Sequence, residues 1–208
     1  TDDARLSIGE GSAKVKGQYV ADTGDFDATI NTQDLPLGTF TKDMTTPITG
    51  NIDGEIRILG KNNQVTDAVG AVEGRQIGIH GVVVDTAKAN FTHADNRTNI
   101  TVVGTMGDGA LSGYGYIQNG NVDATISGNA LPLTALSPII GQDVDGTLNT
   151  SFAIKGTVDN PNVTGTVWGQ EVHYKGARFN NIHGDIKLDN HILTIINGHI
   201  GDGDGGYD

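Results

Sequence analysis

Residues 115–208 read GYIQNGNVDATISGNALPLTALSPIIGQDVDGTLNTSFAIKGTVDNPNVTGTVWGQEVHYKGARFNNIHGDIKLDNHILTIINGHIGDGDGGYD, and their patterning decides the fold. From Asn121 to Ser127 the side chains alternate strictly: Val122, Ala124 and Ile126 fall on one side, Asn121, Asp123, Thr125 and Ser127 on the other. A period of two is the signature of a strand with one apolar face. Leu148, Thr150, Phe152 and Ile154 repeat the pattern, as do Ile182, Gly184, Ile186 and Leu188. Turn formers punctuate these runs: Gly128-Asn129, Asp145-Gly146, Asp159-Asn160-Pro161 and Asp189-Asn190. The expectation is an all-β meander of one-sided strands.

The same unit stands upstream. Asp27-Ala28-Thr29-Ile30 is identical to Asp123-Ala124-Thr125-Ile126, and Leu35-Pro36-Leu37 to Leu131-Pro132-Leu133 at the same offset. Asp53-Gly54 answers Asp145-Gly146, and Gly60 answers Gly156. Small motifs close each copy, Met106-Gly107-Asp108-Gly109 and Ile200-Gly201-Asp202-Gly203, with a third at Ile8-Gly9-Glu10-Gly11. The organisation expected is therefore a tail of a preceding repeat at 1–16, repeat 1 at 17–114 and repeat 2 at 115–208, forming one continuous elongated β domain within a longer array. Eight to ten strands per repeat are expected. Period two lapses only at 35–47 and 131–140, where a Pro limits any helix to a turn or two.

Composition agrees with an extended sheet. Gly supplies 31 of 208 residues, about double its ordinary share, while Phe, Tyr and Trp number only five, five and one. Aliphatic residues spread evenly along the chain fit a long, thin apolar face better than a deep core. The net charge of −12, from 13 basic and 25 acidic residues, argues against nucleic acid and against adhesion to anionic lipid surfaces. Cysteine is absent, which removes disulfides, thiolate nucleophiles and Cys-based zinc sites. No apolar run is long enough to span a bilayer as a helix.

Candidate chemistry is thin. Asp202, Asp204 and Asp208 alternate in a glycine loop as calcium ligands do, but the fifth loop position is Gly206, and the related turns keep one carboxylate each. A plain turn is the expected reading, with no metal and no cofactor. Gly201, Gly203 and Gly206 match a dinucleotide fingerprint in spacing alone, without the helix it requires. His80, His93, His173, His183, His191 and His199 show no chelating spacing and are read as surface or edge residues in separate strands or turns. No Gly-x-Ser-x-Gly elbow occurs, and the acidic residues are read as falling mostly in turns, which counts against an enzyme.

One set of residues carries a resemblance. Leu131-Pro132-Leu133, Gly146-Thr147-Leu148, the run Ile154-Lys155-Gly156-Thr157-Val158-Asp159-Asn160-Pro161 through Val167, Phe179-Asn180-Asn181-Ile182-His183-Gly184-Asp185-Ile186 and the closing Gly203-Asp204-Gly205-Gly206-Tyr207 follow a known order. Repeat 2 resembles the TamB family of translocation and assembly module proteins, within the wider AsmA-like group. Repeat 1 departs from it, lacking the Asn-Pro between Lys61 and Val69. The resemblance implies an elongated, U-shaped, folded-over sheet (a β-taco) with an apolar inner groove. It implies a periplasmic location in a parent anchored in the inner membrane, and a BamA-type (TamA-like) outer-membrane partner. The implied cargo is phospholipid acyl chains or unfolded outer-membrane strands. Alternation in repeat 2 makes Val122, Ala124, Ile126, Leu148, Phe152, Ile154, Ile186 and Leu188 the expected groove lining. The competing expectations are a spacer repeat of a surface adhesin or autotransporter passenger, and a β-helical polysaccharide enzyme.

Overall fold

The computed structural model describes residues 3–44, 47–189, 192–201 and 206–207. Fourteen strands form one antiparallel sheet in strict chain order, each hydrogen-bonded to the next. They are β1 (Asp3–Ile8), β2 (Gly11–Val20), β3 (Asp25–Pro36), β4 (Ile48–Lys61), β5 (Gln64–Ile79), β6 (Val82–Ala94) and β7 (Arg97–Met106). They continue as β8 (Gly109–Gln118), β9 (Asn121–Pro132), β10 (Val144–Thr157), β11 (Pro161–Tyr174), β12 (Ala177–Asp189), β13 (Ile192–Gly201) and β14 (Gly206–Tyr207). The helical pieces are α1 (Gly38–Thr41), a 3-10 turn at Leu133–Leu136 and α2 (Ser137–Ile140). They sit where the alternation lapses.

The strands are fewer and longer than eight to ten per repeat, because several glycine pairs read as turns lie inside strands. Asp53-Gly54 is within β4, Gly128-Asn129 within β9 and Asp145-Gly146 within β10. Gly146 (φ 119°) and Gly50 (φ 103°), each the third residue of its strand, accompany register shifts rather than reversals, so Gly50 and not Gly54 is the structural counterpart of Gly146. A Cβ on Gly146 would come within 2.7 Å of the Glu171 carbonyl oxygen, so the bulge requires glycine. Asn190 lies outside the described residues.

Five of the reversals use two residues of positive φ: Asn62-Asn63, His80-Gly81, Asp95-Asn96, Asn119-Gly120 and Lys175-Gly176. Positive φ at both central positions marks the mirror-image turn that matches strand twist. The β10–β11 connection instead passes through Val158-Asp159-Asn160, with Pro161 opening β11. Most of the described acidic residues lie in strands, not turns, which corrects that expectation.

Bulges recur near one end of the sheet. Asp34 in β3, Gln76 in β5, Ala130 in β9 and Glu171 in β11 have φ of 50°, 52°, 49° and 50°. The same end carries the helical connections and most of the core. Leu35, Met106, Leu131, Leu133 and Val172 are buried there, while Ala13 is the remaining buried apolar residue among those described. The Thr41 hydroxyl closes α1 back onto β4, donating to the Ile48 carbonyl (2.6 Å) and accepting from the Ile48 amide (3.0 Å). Pro138 in α2 lies so near the β5–β6 turn that a Cβ on Gly81 would approach its Cβ to 2.9 Å.

Elsewhere the sheet has no second layer among the described residues, and none of their side chains is fully buried. The accessible surface is 12898 Å² for a 21.7 kDa chain. A compact monomer of that mass exposes about 9,200 Å². The excess is the area of a sheet left single.

Candidate functional site

Because partners in an antiparallel ladder share a face, register turns local alternation into a continuous surface. One row runs Leu6, Ala13, Thr32, Gly54, Val72, Ala89, Val102, Gly113, Ile126, Phe152, Gly165, Ile186, Ile195. The neighbouring row on that face runs Ala4, Val15, Ile30, Ile56, Gly70, Phe91, Ile100, Gly115, Ala124, Ile154, Val163, Leu188, Leu193. Both rows cross thirteen strands with no charged residue.

All eight residues singled out from the sequence share this face. Ile126 opposes Phe152 and Ala124 opposes Ile154, while Val122 opposes Gly156 and Leu148 opposes Leu131. Ile186 and Leu188 join through Gly165 and Val163 of β11. Most of the eight are half-buried, and Ile126 is 40% exposed. Sequence reasoning named only repeat 2. Ile30, Ile56, Phe91 and Ile100 extend the surface by the same alternation, which was the signal available for them.

Three aromatic rings each lie over a glycine directly across the ladder: Phe26 over Gly60, Phe91 over Gly70 and Phe152 over Gly165. A Cβ on these glycines would meet ring carbon at 2.1, 2.4 and 2.5 Å respectively. The missing Cβ lets each ring lie down on the backbone, which keeps the face smooth. The abundant glycine is thus part of the surface as well as of the turns.

The opposite face is mixed, with Val69, Val103, Tyr114 and Trp168 exposed among its polar and charged residues. Arg57 pairs with Asp27 (2.8 Å), Lys88 with Glu73 (2.6 Å) and Arg178 with Glu171. These pairs are exposed and add little stability individually. The bulge at Asp34 is more specific: the Asp53 carboxylate accepts the Asp34 amide at 2.7 Å and binds Arg75, which also reaches Asp34 at 3.0 Å. The Asp34 amide, then Arg75, holds the Asp53 carboxyl below its ordinary range, and the Arg57 hydrogen bond does the same for Asp27. At the corresponding bulge Asn149 accepts the Ala130 amide at 2.8 Å.

The described histidines occupy separate strands or turns, and two of them meet across a ladder. His183 and His199 are direct register partners, and Trp168 stands edge-on to His183 with 6.1 Å between ring centroids. His93 bonds Thr98 across the β6–β7 ladder. Among the described residues no group of three or more His, Cys, Asp or Glu is placed to hold a metal. Asp202, Asp204, Asp208 and His191 lie outside the described residues. No helix there is long and apolar enough to cross a membrane. Set against protein-family models, curated proteins and solved structures, the chain matches none of them.

Proposed function

We propose that this chain is a non-enzymatic periplasmic segment of a TamB-like protein, whose apolar face curls into a groove carrying phospholipid acyl chains between inner and outer membranes. The parent chain would meet a BamA-type partner at the outer membrane. The observation that carries this reading is the pair of uncharged rows that cross thirteen strands with no layer over them among the described residues. Soluble monomers rarely leave contiguous apolar patches beyond a few hundred Å². A surface this extensive calls for an apolar occupant, and acyl chains suit it because they are apolar along their length and need no specific partners.

Two further features support the reading. Element lengths recur along the chain: β3 and β9 have 12 residues each, β4 and β10 have 14, β6 and β12 have 13, and β7 and β13 have 10. That agrees with repeats of about 95 residues stacked edge to edge. The bulges and the approach of α2 to the β5–β6 turn favour a sheet that bends at one end.

The test is labelling of the purified chain with a diazirine-bearing phospholipid in mixed micelles, followed by peptide mapping. Crosslinks are expected on peptides containing Phe152, Ile154 and Ile186. Labelling by an unfolded outer-membrane strand peptide, and not by phospholipid, would reassign the cargo as polypeptide. Absence of both would leave a structural spacer.

A further inference from the structure

Among the described residues, the apolar face contains one histidine, and no other acidic or basic residue, between the bulges and the opposite turns. The row nearest those turns runs Gly17, Ala28, Ile58, Ala68, His93, Thr98, Ile117, Val122, Gly156, Pro161. His93 and Thr98 oppose each other in the β6–β7 ladder, and Nδ1 of the ring and Oγ1 of Thr98 share a hydrogen bond of 2.8 Å. Both residues are half-buried.

The pair is not needed to build the sheet. His93 is the twelfth residue of β6, and the twelfth residue of the equally long β12 is Leu188. Thr98 is the second residue of β7, and the second of β13 is Leu193. Leu188 and Leu193 oppose each other in register as His93 and Thr98 do. The same register position thus carries two leucines in β12–β13 and a polar pair in β6–β7.

Resting on the acyl-carrier reading above, we infer that His93 and Thr98 form a recognition point for the carboxylate of a single-chain fatty acid lying on this face. With Nδ1 engaged by Thr98, Nε2 is the ring atom presented to a ligand. A bond from Nε2–H to a carboxylate is charge-assisted through the ionised acceptor and is among the stronger hydrogen bonds. One donor with no Lys or Arg on that face fits a monoanionic carboxylate. A phosphate would call for a cluster of cations. The chain has room to lie down: His93, Phe91, Ala89 and Ala87 follow one another along β6 on this side. At about 3.3 Å per residue they span about 20 Å, which exceeds the ~15 Å thickness of one leaflet's hydrocarbon.

The experiment compares dodecanoate with dodecanol, which has the same chain without the charge, by calorimetric titration of wild type and His93→Leu. The leucine copies what Leu188 already provides, so the variant should fold, which an unchanged melt will check. His93→Leu is expected to weaken dodecanoate at least tenfold while leaving dodecanol within twofold. The double variant Leu188→His with Leu193→Thr should add a second dodecanoate site. If dodecanol binds wild type but dodecanoate is indifferent to His93→Leu, or both ligands weaken together, this inference is overturned while the apolar-face reading stands. If wild type binds neither, the acyl-carrier reading fails and takes this inference with it.

Discussion

The Phe152 ring lies on Gly165 so closely that a Cβ there would sit 2.5 Å from the ring and 2.1 Å from the Ser151 carbonyl oxygen. Relief would require backbone as well as side chain to move. Gly165→Val should therefore destabilise the chain by about 1–3 kcal/mol, the usual cost of overpacking. Gly198→Ala is the control, since its new Cβ would meet only an Ile195 methyl at 3.9 Å. Urea midpoints that fall equally for both would refute the ring-over-glycine account.

The Asp53 carboxyl titrates below its ordinary range because its ionised form accepts the Asp34 amide and binds Arg75. A depressed folded pKa gives stability that is present above the unfolded value near 3.8 and lost as pH falls through the folded one. Stability should thus decline below about pH 4, with Asp27 contributing in the same direction. Asp53→Asn keeps an acceptor, as Asn149 does for Ala130, and should flatten part of that decline. An unchanged acid slope in chemical denaturation would rule out Asp53 as a source.

Ala130 holds φ of 49° in a bulge where an L residue with a Cβ is strained. The left-handed region costs such a residue about 1–2 kcal/mol, and glycine's extra chain entropy returns about 0.5–1 kcal/mol of that. Ala130→Gly is expected to raise stability by about 0.5–1 kcal/mol, read from the thermal midpoint. A drop of that size would mean the methyl group packs usefully.

Phe152→Asp tests the face directly. In a dry core an unpaired carboxylate costs several kcal/mol, enough to unfold a domain of about 5–15 kcal/mol total stability. Phe152 is only half-buried on an uncovered face, so the variant should stay folded by circular dichroism while losing phospholipid labelling. Outright unfolding, with no labelling of wild type, would identify a packed spacer.

Chelation should leave the melt unchanged. A metal bound only to the folded state at ~100 times its dissociation constant would add ~2.7 kcal/mol. A midpoint lowered by EDTA and restored by calcium would establish Asp202, Asp204 and Asp208 as ligands.

The sequence by itself determined the strand class and the faces. Alternation such as Val122-Asp123-Ala124-Thr125-Ile126 is written every two residues and survives in any pairing, so all eight candidates landed on one side. It also marked both helical interruptions, because period two lapses at 35–47 and 131–140 and a Pro in each keeps the helix short. Only the tertiary structure decided which residues face each other. Cross-strand neighbours are set by register between segments far apart in the chain, which no local period encodes. That is why Asp145-Gly146 became a bulge inside β10 instead of a turn: its carbonyl neighbours at Gln170 and Glu171 belong to another strand. For the same reason Phe152 found Gly165, and His93, read as an isolated histidine, found Thr98 on an otherwise uncharged face.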